Sequence, residues 1–349
     1  MIDGNNVAFF GCKNTTKDAI KRFQNKVGNV DHLITISSEL ARKHKVAGYE
    51  DLKKFARENG IDIYTCEKYS LSDRDIENIL FFDIDIAFSI GWQRIIKGEV
   101  LNNIPFGIYG MHGSCKDLPK GRGRSPMNWA LILDKNKFYT NLFKYEEGID
   151  NGKIVGKQIF GINKYDTIET LHFKNRIAMN KLIEEHIYDI LNDNISLKEQ
   201  NDEKATYYPK RKPKDGFIDW NLKTKDIYNL MRALTKPYPG FFTKLGSKKL
   251  YFWDLRPFTE KIKFNQYDPG TIIEKLHNGK FIVKTVDSSI IVHEYEFEGA
   301  DSEIEEGIIF ESKSTSEIYD GIESRYYDFV DETQKEIRKE KILNFYNLR

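Results

Sequence analysis

Val7-Ala8-Phe9-Phe10-Gly11-Cys12-Lys13-Asn14-Thr15-Thr16 is a short apolar run that stops at a glycine and passes into the helical segment Thr16 to Phe23. An unbroken apolar run is the mark of a strand buried on both faces, and a helix following at once opens a β-α-β unit. The alternation continues downstream. His32 to Ser37 reads as a second strand, and Tyr49 to Asn59 carries Leu52, Phe55 and Ala56 at helical spacing. Ile61 to Tyr64 is a strand after a Gly60 stop, and Ser72 is a good N-cap for a helix to Leu80. Asp83 to Ser89 is strand-like, Gln93 to Val100 reads as a helix, and Phe106 to Met111 is a strand that leads directly into His112. The pattern predicts a Rossmann-like parallel sheet covered by helices. The first strand-to-helix turn reads GCKNTT, without GxGxxG or GxxxxGK[ST], so no nucleotide-phosphate cradle is expected there.

Composition narrows the classes. The 349 residues carry 54 Lys+Arg against 53 Asp+Glu, a balance that argues against a generic polyanion binder. With 40% hydrophobic and 13% aromatic residues the chain can bury a substantial core, and its length allows two domains. Three cysteines, Cys12, Cys66 and Cys115, show no metal-ligand spacing, so a reducing compartment and no metal are expected. MIDGNNVAFFGCKN lacks a basic segment followed by an apolar one, and no apolar run approaches the roughly 20 residues that span a bilayer, so no membrane association and a cytoplasmic location are expected.

The second half changes character. Thr167 to Leu191 is a long amphipathic segment, after which Asn192 to Lys204 is polar and Tyr207 to Asp215 combines prolines with basic residues, the pattern of a surface linker. A domain boundary is placed near 205. Lys225 to Leu234 reads as a helix, and the runs Lys249 to Trp253, Gly270 to Ile273, Lys280 to Thr285 and Ser289 to Glu294 as short strands of a small antiparallel barrel. The expected division is a domain over 1–205, a linker and barrel-like domain over 206–312, and a charged helical tail over 313–349.

Chemistry concentrates in three stretches: Met111-His112-Gly113-Ser114, then Leu118-Pro119-Lys120-Gly121-Arg122-Gly123-Arg124-Ser125-Pro126-Met127-Asn128-Trp129, then Glu146-Glu147-Gly148-Ile149-Asp150-Asn151-Gly152. A histidine at the carboxyl end of a parallel strand lies where α/β sheets place their ligands, and is a candidate general base. This constellation resembles the folate-dependent formyltransferases, among them methionyl-tRNA formyltransferase and the sugar-nucleotide N-formyltransferases, whose pattern is N-x-H-x-S-x-L-P, then R-G, then G-x-D-x-G. Asp215 to Trp220, Arg232 to Gly240 and Pro269 to Ile272 extend the likeness to that family's second, OB-like barrel domain.

The resemblance implies 10-formyltetrahydrofolate as the co-substrate. It makes His112 the acid/base for an attacking amine, oriented by Asp150, a role suited to a side chain that titrates at about 6.5 and is favoured in its charged form by a carboxylate. It places Arg94, Ile95, Ile96, Arg124 and the turn Glu146, Glu147, Gly148, Ile149 and Asp150 on the folate; Trp92, just before the first of these, is a candidate wall for its ring, with an ordinary core aromatic as the alternative. One position departs from the pattern. Where the family has Asn two residues before the histidine, to polarise the formyl carbonyl, this chain has Gly110. Asn128 is the candidate replacement, with capping or orienting its helix as the alternative.

The acceptor is expected to be an amino-deoxy sugar on a nucleotide destined for surface glycans, with Arg211 and Arg232 meeting the diphosphate. The alternatives are initiator methionyl-tRNA, favoured by the basic run Lys210 to Lys214, and a folate-binding relative weakened by the loss at position 110. The tail, with Ile318, Ile322, Tyr326, Phe329 and Val330, fits packing on its own domain or in a homodimer.

Overall fold

A computed structural model describes residues 4–92, 94–238, 240–259, 261–299 and 302–327. Phe329 and Val330 of the expected tail, like Gln93 of the expected helix, lie outside them. The elements are β1 (Val7–Phe10), α1 (Asn14–Lys26), β2 (His32–Ile36), α2 (Ser38–Lys43), α3 (Lys53–Glu58), β3 (Asp62–Cys66), α4 (Asp73–Phe81), β4 (Ile86–Ser89), α5 (Gly98–Leu101) and β5 (Gly107–Ser114). There follow β6 (Arg122–Gly123), α6 (Pro126–Ile132), β7 (Lys137–Lys144), β8 (Ile154–Gly161), α7 (Ile168–Leu191), β9 (Tyr207–Tyr208), α8 (Thr224–Leu234), β10 (Phe241–Leu245), β11 (Lys248–Thr259), β12 (Ile272–Lys275), β13 (Phe281–Lys284), β14 (Ser289–Phe297) and α9 (Thr315–Tyr327).

The chain forms two compact units. One runs to Arg122 and includes Tyr139–Phe160 and Lys174–Ala205; the other comprises Gly123–Phe138, Gly161–Phe173 and the chain from Thr206 onward. The passage at 205/206 is thus one of several, because the segment carrying α6 and the start of α7 belong with the second unit.

In the first unit a seven-stranded sheet has the order β3-β2-β1-β4-β5-β7-β8. The first five strands are parallel, and β7 joins β5 antiparallel. Side chains alternate across a strand, so Val7 and Phe9 enter one buried cluster with Phe23, Leu33 and Phe88, while Ala8 and Phe10 enter another with Ile34, Trp92 and Ile108. Both faces are covered, which is why β1 reads as unbroken apolar sequence. Burying each such large side chain contributes roughly 1.5–3 kcal/mol, and the Phe9–Phe23 edge contact at 5.6 Å adds to it.

The strand order reverses at β1, between β2 and β4, and this opens the crevice where doubly wound sheets bind ligands. Gly11 is required there by space: a Cβ would fall on the Thr16 side chain and the Ile90 carbonyl. Thr16 Oγ1 donates to that carbonyl at 2.6 Å and tethers the first turn of α1 to the loop after β4.

In the second unit a five-stranded antiparallel sheet has the order β10-β11-β14-β13-β12. Its edges are extended by bridges from Phe217 to Phe242 and from Ile309 to Thr271. Strand β11 runs twelve residues with register shifts, far beyond the expected Lys249 to Trp253. Two other expectations change. Among the described residues the helix expected over 93–100 is confined to α5, and β7 and β8 occupy a stretch in which no strands were predicted.

Candidate active site

His112 lies within β5, two residues beyond Gly110, which is the last position paired to β4. The expectation that the strand ends before His112 is therefore corrected: antiparallel pairing with β7 carries β5 onward, with His112 opposite Asn141. The imidazole sits past the carboxyl end of the parallel run, held on a rigid ladder. It is 8% exposed, with Nδ1 3.3 Å from the Asp150 carboxylate and Nε2 3.0 Å from the Gly121 carbonyl.

Asp150 reaches the imidazole from a turn that uses the left-handed region twice, at Gly148 (φ 127) and at Asp150 itself (φ 52). Gln200 pins this turn. Its side-chain amide donates to the Asp150 carbonyl at 3.0 Å and the Gly152 carbonyl at 2.7 Å, while its Oε1 accepts from Arg122 Nε and Nη2 at 3.2 and 2.9 Å. Arg122 is 1% exposed and also pairs with Asp202 at 2.7 Å. The polar stretch 192–204 was expected to be a surface linker; at Gln200 it is instead part of the support beneath the carboxylate.

Around the loop after β4 the expected folate contacts gather. Trp92 is buried, its ring edge-on to Phe10 at 5.5 Å, and the Arg94 guanidinium lies 3.5 Å from the Trp92 ring centroid and 4.9 Å from that of Tyr69. Trp92 Nε1 and all three guanidinium nitrogens of Arg94 are buried without a hydrogen-bond acceptor among the described residues. Burial lowers the Arg94 pKa, and the neighbouring thiols do not neutralise it: burial pushes Cys12 up and Cys66 up to about 12. Buried donors without acceptors are uncommon and costly, and four of them are grouped here. Ile96 is buried and Ile95 is 68% exposed. The turn 146–150 closes on the same loop, since the Glu147 carboxylate occupies the space beside Gly98 where a Cβ would stand.

Three sequence-predicted residues are placed otherwise. Arg232 was expected to meet a diphosphate, but it is 2% exposed and its guanidinium donates to Asn229 Oδ1, to the carbonyls of Asn163 and Asp166, and to Asp134. Arg211 donates to the Asp215 carbonyl at 2.6 Å and stacks on Trp129 at 5.1 Å. Asn128 is 3% exposed and gives its amide to the Ala233 carbonyl at 2.7 Å, so its donor joins α6 to the end of α8. Arg124 belongs to the second unit, exposed, with its backbone N–H on the Tyr208 carbonyl at 2.8 Å. Sequence reading missed Gln200, Arg122, Asn141 and Tyr145. Only Arg122 lay in a motif; Asn141 is placed by strand register, and Gln200 and Tyr145 by side-chain packing and hydrogen bonding.

A Rossmann-like unit with a histidine–carboxylate pair beyond its parallel strands, followed by a unit built on a five-stranded antiparallel sheet, defines a two-domain α/β protein. The chain belongs to the formyl transferase family: the model described as formyl transferase matches residues 5–187, and that of the formyl transferase C-terminal domain matches 210–306. It is 36% identical over 207 residues to the bifunctional polymyxin resistance protein ArnA of Wigglesworthia glossinidia brevipalpis, over 57% of this chain and 31% of that protein, so it spans about a third of that relative's length. Among solved structures it is similar to the N-formyltransferase from Helicobacter canadensis in complex with folinic acid and dTDP-3-aminofucose, with a TM-score of 0.58 at 19% identity over 83% of this chain and 99% of that one. The sugar 3N-formyl transferase WlaRD gives a TM-score of 0.58 at 20% identity over 82% and 97%. At these identities the likeness is one of fold.

Proposed function

We propose that the chain is an N-formyltransferase that moves a formyl group from 10-formyltetrahydrofolate to the amine of a nucleotide-linked amino-deoxy sugar. The observation that carries this reading is the His112–Asp150 pair at 3.3 Å, supported by Gln200 and accompanied by the Trp92 and Arg94 donors that lack acceptors among the described residues. The folate supplies an activated formyl carbon. Trp92, Arg94, Ile95, Ile96 and the turn 146–150 would hold it, and the buried nitrogens of Trp92 and Arg94 suit the ring acceptors or carboxylates of such a ligand.

Asp150 faces Nδ1 and so favours a proton there, leaving Nε2 as the working nitrogen. Both ring nitrogens face oxygens, and the doubly protonated ring satisfies both contacts. To accept a proton from an attacking amine, Nε2 must be bare and the Gly121 carbonyl must give way to the amine. His112 then returns a proton to the leaving nitrogen.

A sugar acceptor is supported by the near-neutral charge of the chain and by the aminosugar named with the Helicobacter structure. The basic run favours tRNA less, because Arg211 is engaged by Asp215 and Trp129, while Lys210 is exposed, its pKa lowered by desolvation and by Arg124 and Lys212. The deciding assay offers 10-formyltetrahydrofolate with a panel of dTDP- and UDP-linked amino sugars beside charged initiator tRNA, and follows tetrahydrofolate release. Turnover with one sugar is expected; turnover with tRNA alone overturns the acceptor, and no turnover at all overturns the activity.

A further inference from the structure

Acyl transfer to an amine places negative charge on the carbonyl oxygen, and a positioned donor for that oxygen is commonly the largest single contribution to rate. Resting on the formyl-transfer reading, the question is which side chain on the His112 face of β5 has a hydrogen to give. Positions 110 and 112 lie on the same face of the strand, and Gly110 has no side chain. The space is nevertheless filled. A Cβ built at Gly110 would fall inside the ring of Tyr145, whose carbon and hydroxyl atoms occupy that slot. Tyr145 is fixed there by its backbone N–H on the Ile108 carbonyl at 2.7 Å and by stacking on Phe143 at 5.3 Å.

Other polar side chains beside His112 are engaged. Ser114 Oγ donates to the Lys120 carbonyl at 2.9 Å, and Asn141 gives its amide to the His112 carbonyl at 3.3 Å. Asn128, the replacement suggested by sequence, spends its amide on Ala233. The Ser89 hydroxyl and the Asp150 carboxylate act on the Tyr145 phenol in opposite directions, Ser89 lowering its pKa and Asp150 raising it. Ser89 is paired with Gly110 across the β4–β5 ladder, which brings this hydroxyl to the same spot. Burial pushes the phenol up to about 12 and outweighs the lowering by Ser89, with Asp150 a smaller addition, so it keeps its proton across the working pH range.

We propose that the Tyr145 hydroxyl donates the hydrogen bond to the formyl oxygen, standing in the place that a side chain at position 110 would fill. In the transfer, a bond forms between the acceptor nitrogen and the formyl carbon and the bond from that carbon to N10 of the folate breaks. The amine proton passes through His112 to N10, and Tyr145 retains its own proton throughout. Gly110 is then the vacancy that admits the ring, and not a lost function.

The test uses the full chain and the variants Tyr145→Phe, Tyr145→Ala and Gly110→Asn/Tyr145→Ala. Its probe is 10-formyl-5,8-dideazafolate carrying carbon-13 in the formyl group, whose bound carbonyl stretch is read by infrared difference spectroscopy without any acceptor. Tyr145→Phe should bind the probe within about threefold of the unaltered chain, lose the downshift of the carbonyl band, and lower kcat about a hundredfold. The exchange variant, with an amide restored and the ring removed, should exceed Tyr145→Ala by about tenfold or more. An unchanged band and full kcat in Tyr145→Phe overturn the proposal and leave the ring a space-filler. Because the band is read without acceptor, a shifted band lost in Tyr145→Phe supports the donor even where every offered amine fails, which separates this proposal from the choice of reaction.

Discussion

Gln200 and Asp150 are fifty positions apart, yet the Gln200 amide holds the Asp150 backbone carbonyl at 3.0 Å and thereby fixes the turn that aims the carboxylate at His112. Each such bond contributes about 1 kcal/mol, and an abandoned buried partner costs more. Gln200→Ala should lower stability by about 1–3 kcal/mol in denaturant melts and lower kcat about tenfold with folate binding retained. An unaltered kcat would show that Asp150 needs no support from 200.

His112→Asn should remove turnover while circular dichroism and melting stay near those of the unaltered chain, since Asn fits the β5–β7 ladder. Asp150→Asn keeps the turn but loses the charge that orients the ring, and a fall of about a hundredfold or more in kcat is expected. A fully active His112→Asn protein sinks the acid–base assignment.

The Arg94 guanidinium nitrogens are buried without an acceptor among the described residues, an arrangement that costs stability in the ligand-free chain. Arg94→Met should therefore melt at the same temperature or higher, while weakening folinic acid binding by about tenfold or more in titration calorimetry. A variant that is destabilised and binds folinic acid normally would make Arg94 a structural residue.

Asp75 offers a pH test of the fold. Burial alone would raise its pKa, but the backbone N–H groups of Ser72 and Glu67 and the hydroxyls of Ser72 and Tyr64 bring it below the ordinary carboxylate value. A depressed folded-state pKa contributes stability that is present above about pH 4 and is lost as pH falls through the folded value. Asp75→Asn should cost about 1–3 kcal/mol at pH 7 and much less near pH 3, read from urea melts at both; a gap independent of pH contradicts the account.

The local part of this molecule was legible in its sequence. The runs of β1, β2 and β4, the capped start of α4 at Ser72, the long α7 and α8 depend on burial period and capping, which neighbouring residues carry. His112 and Asp150 were legible for the same reason, as each sits in a short motif. The edge strand β8 was not, because IVGKQIFG is largely half-exposed and shows no clean alternation.

What tertiary structure alone decided is which distant segments share a space. Register between β5 and β7 sets His112 opposite Asn141, and the chain just past β7 puts the Tyr145 ring into the slot of Gly110. Packing, not motif, turned Arg232 inward to Asn163, Asp166 and Asp134 and set Gln200 under Asp150. A sequence determines the period of each element by itself, but a side chain's partner depends on pairing register and on the reach of residues tens of positions away. For that reason His112 and Asp150 could be singled out along the chain, whereas the Gln200 support and the occupant of the space at position 110 could be read only across it.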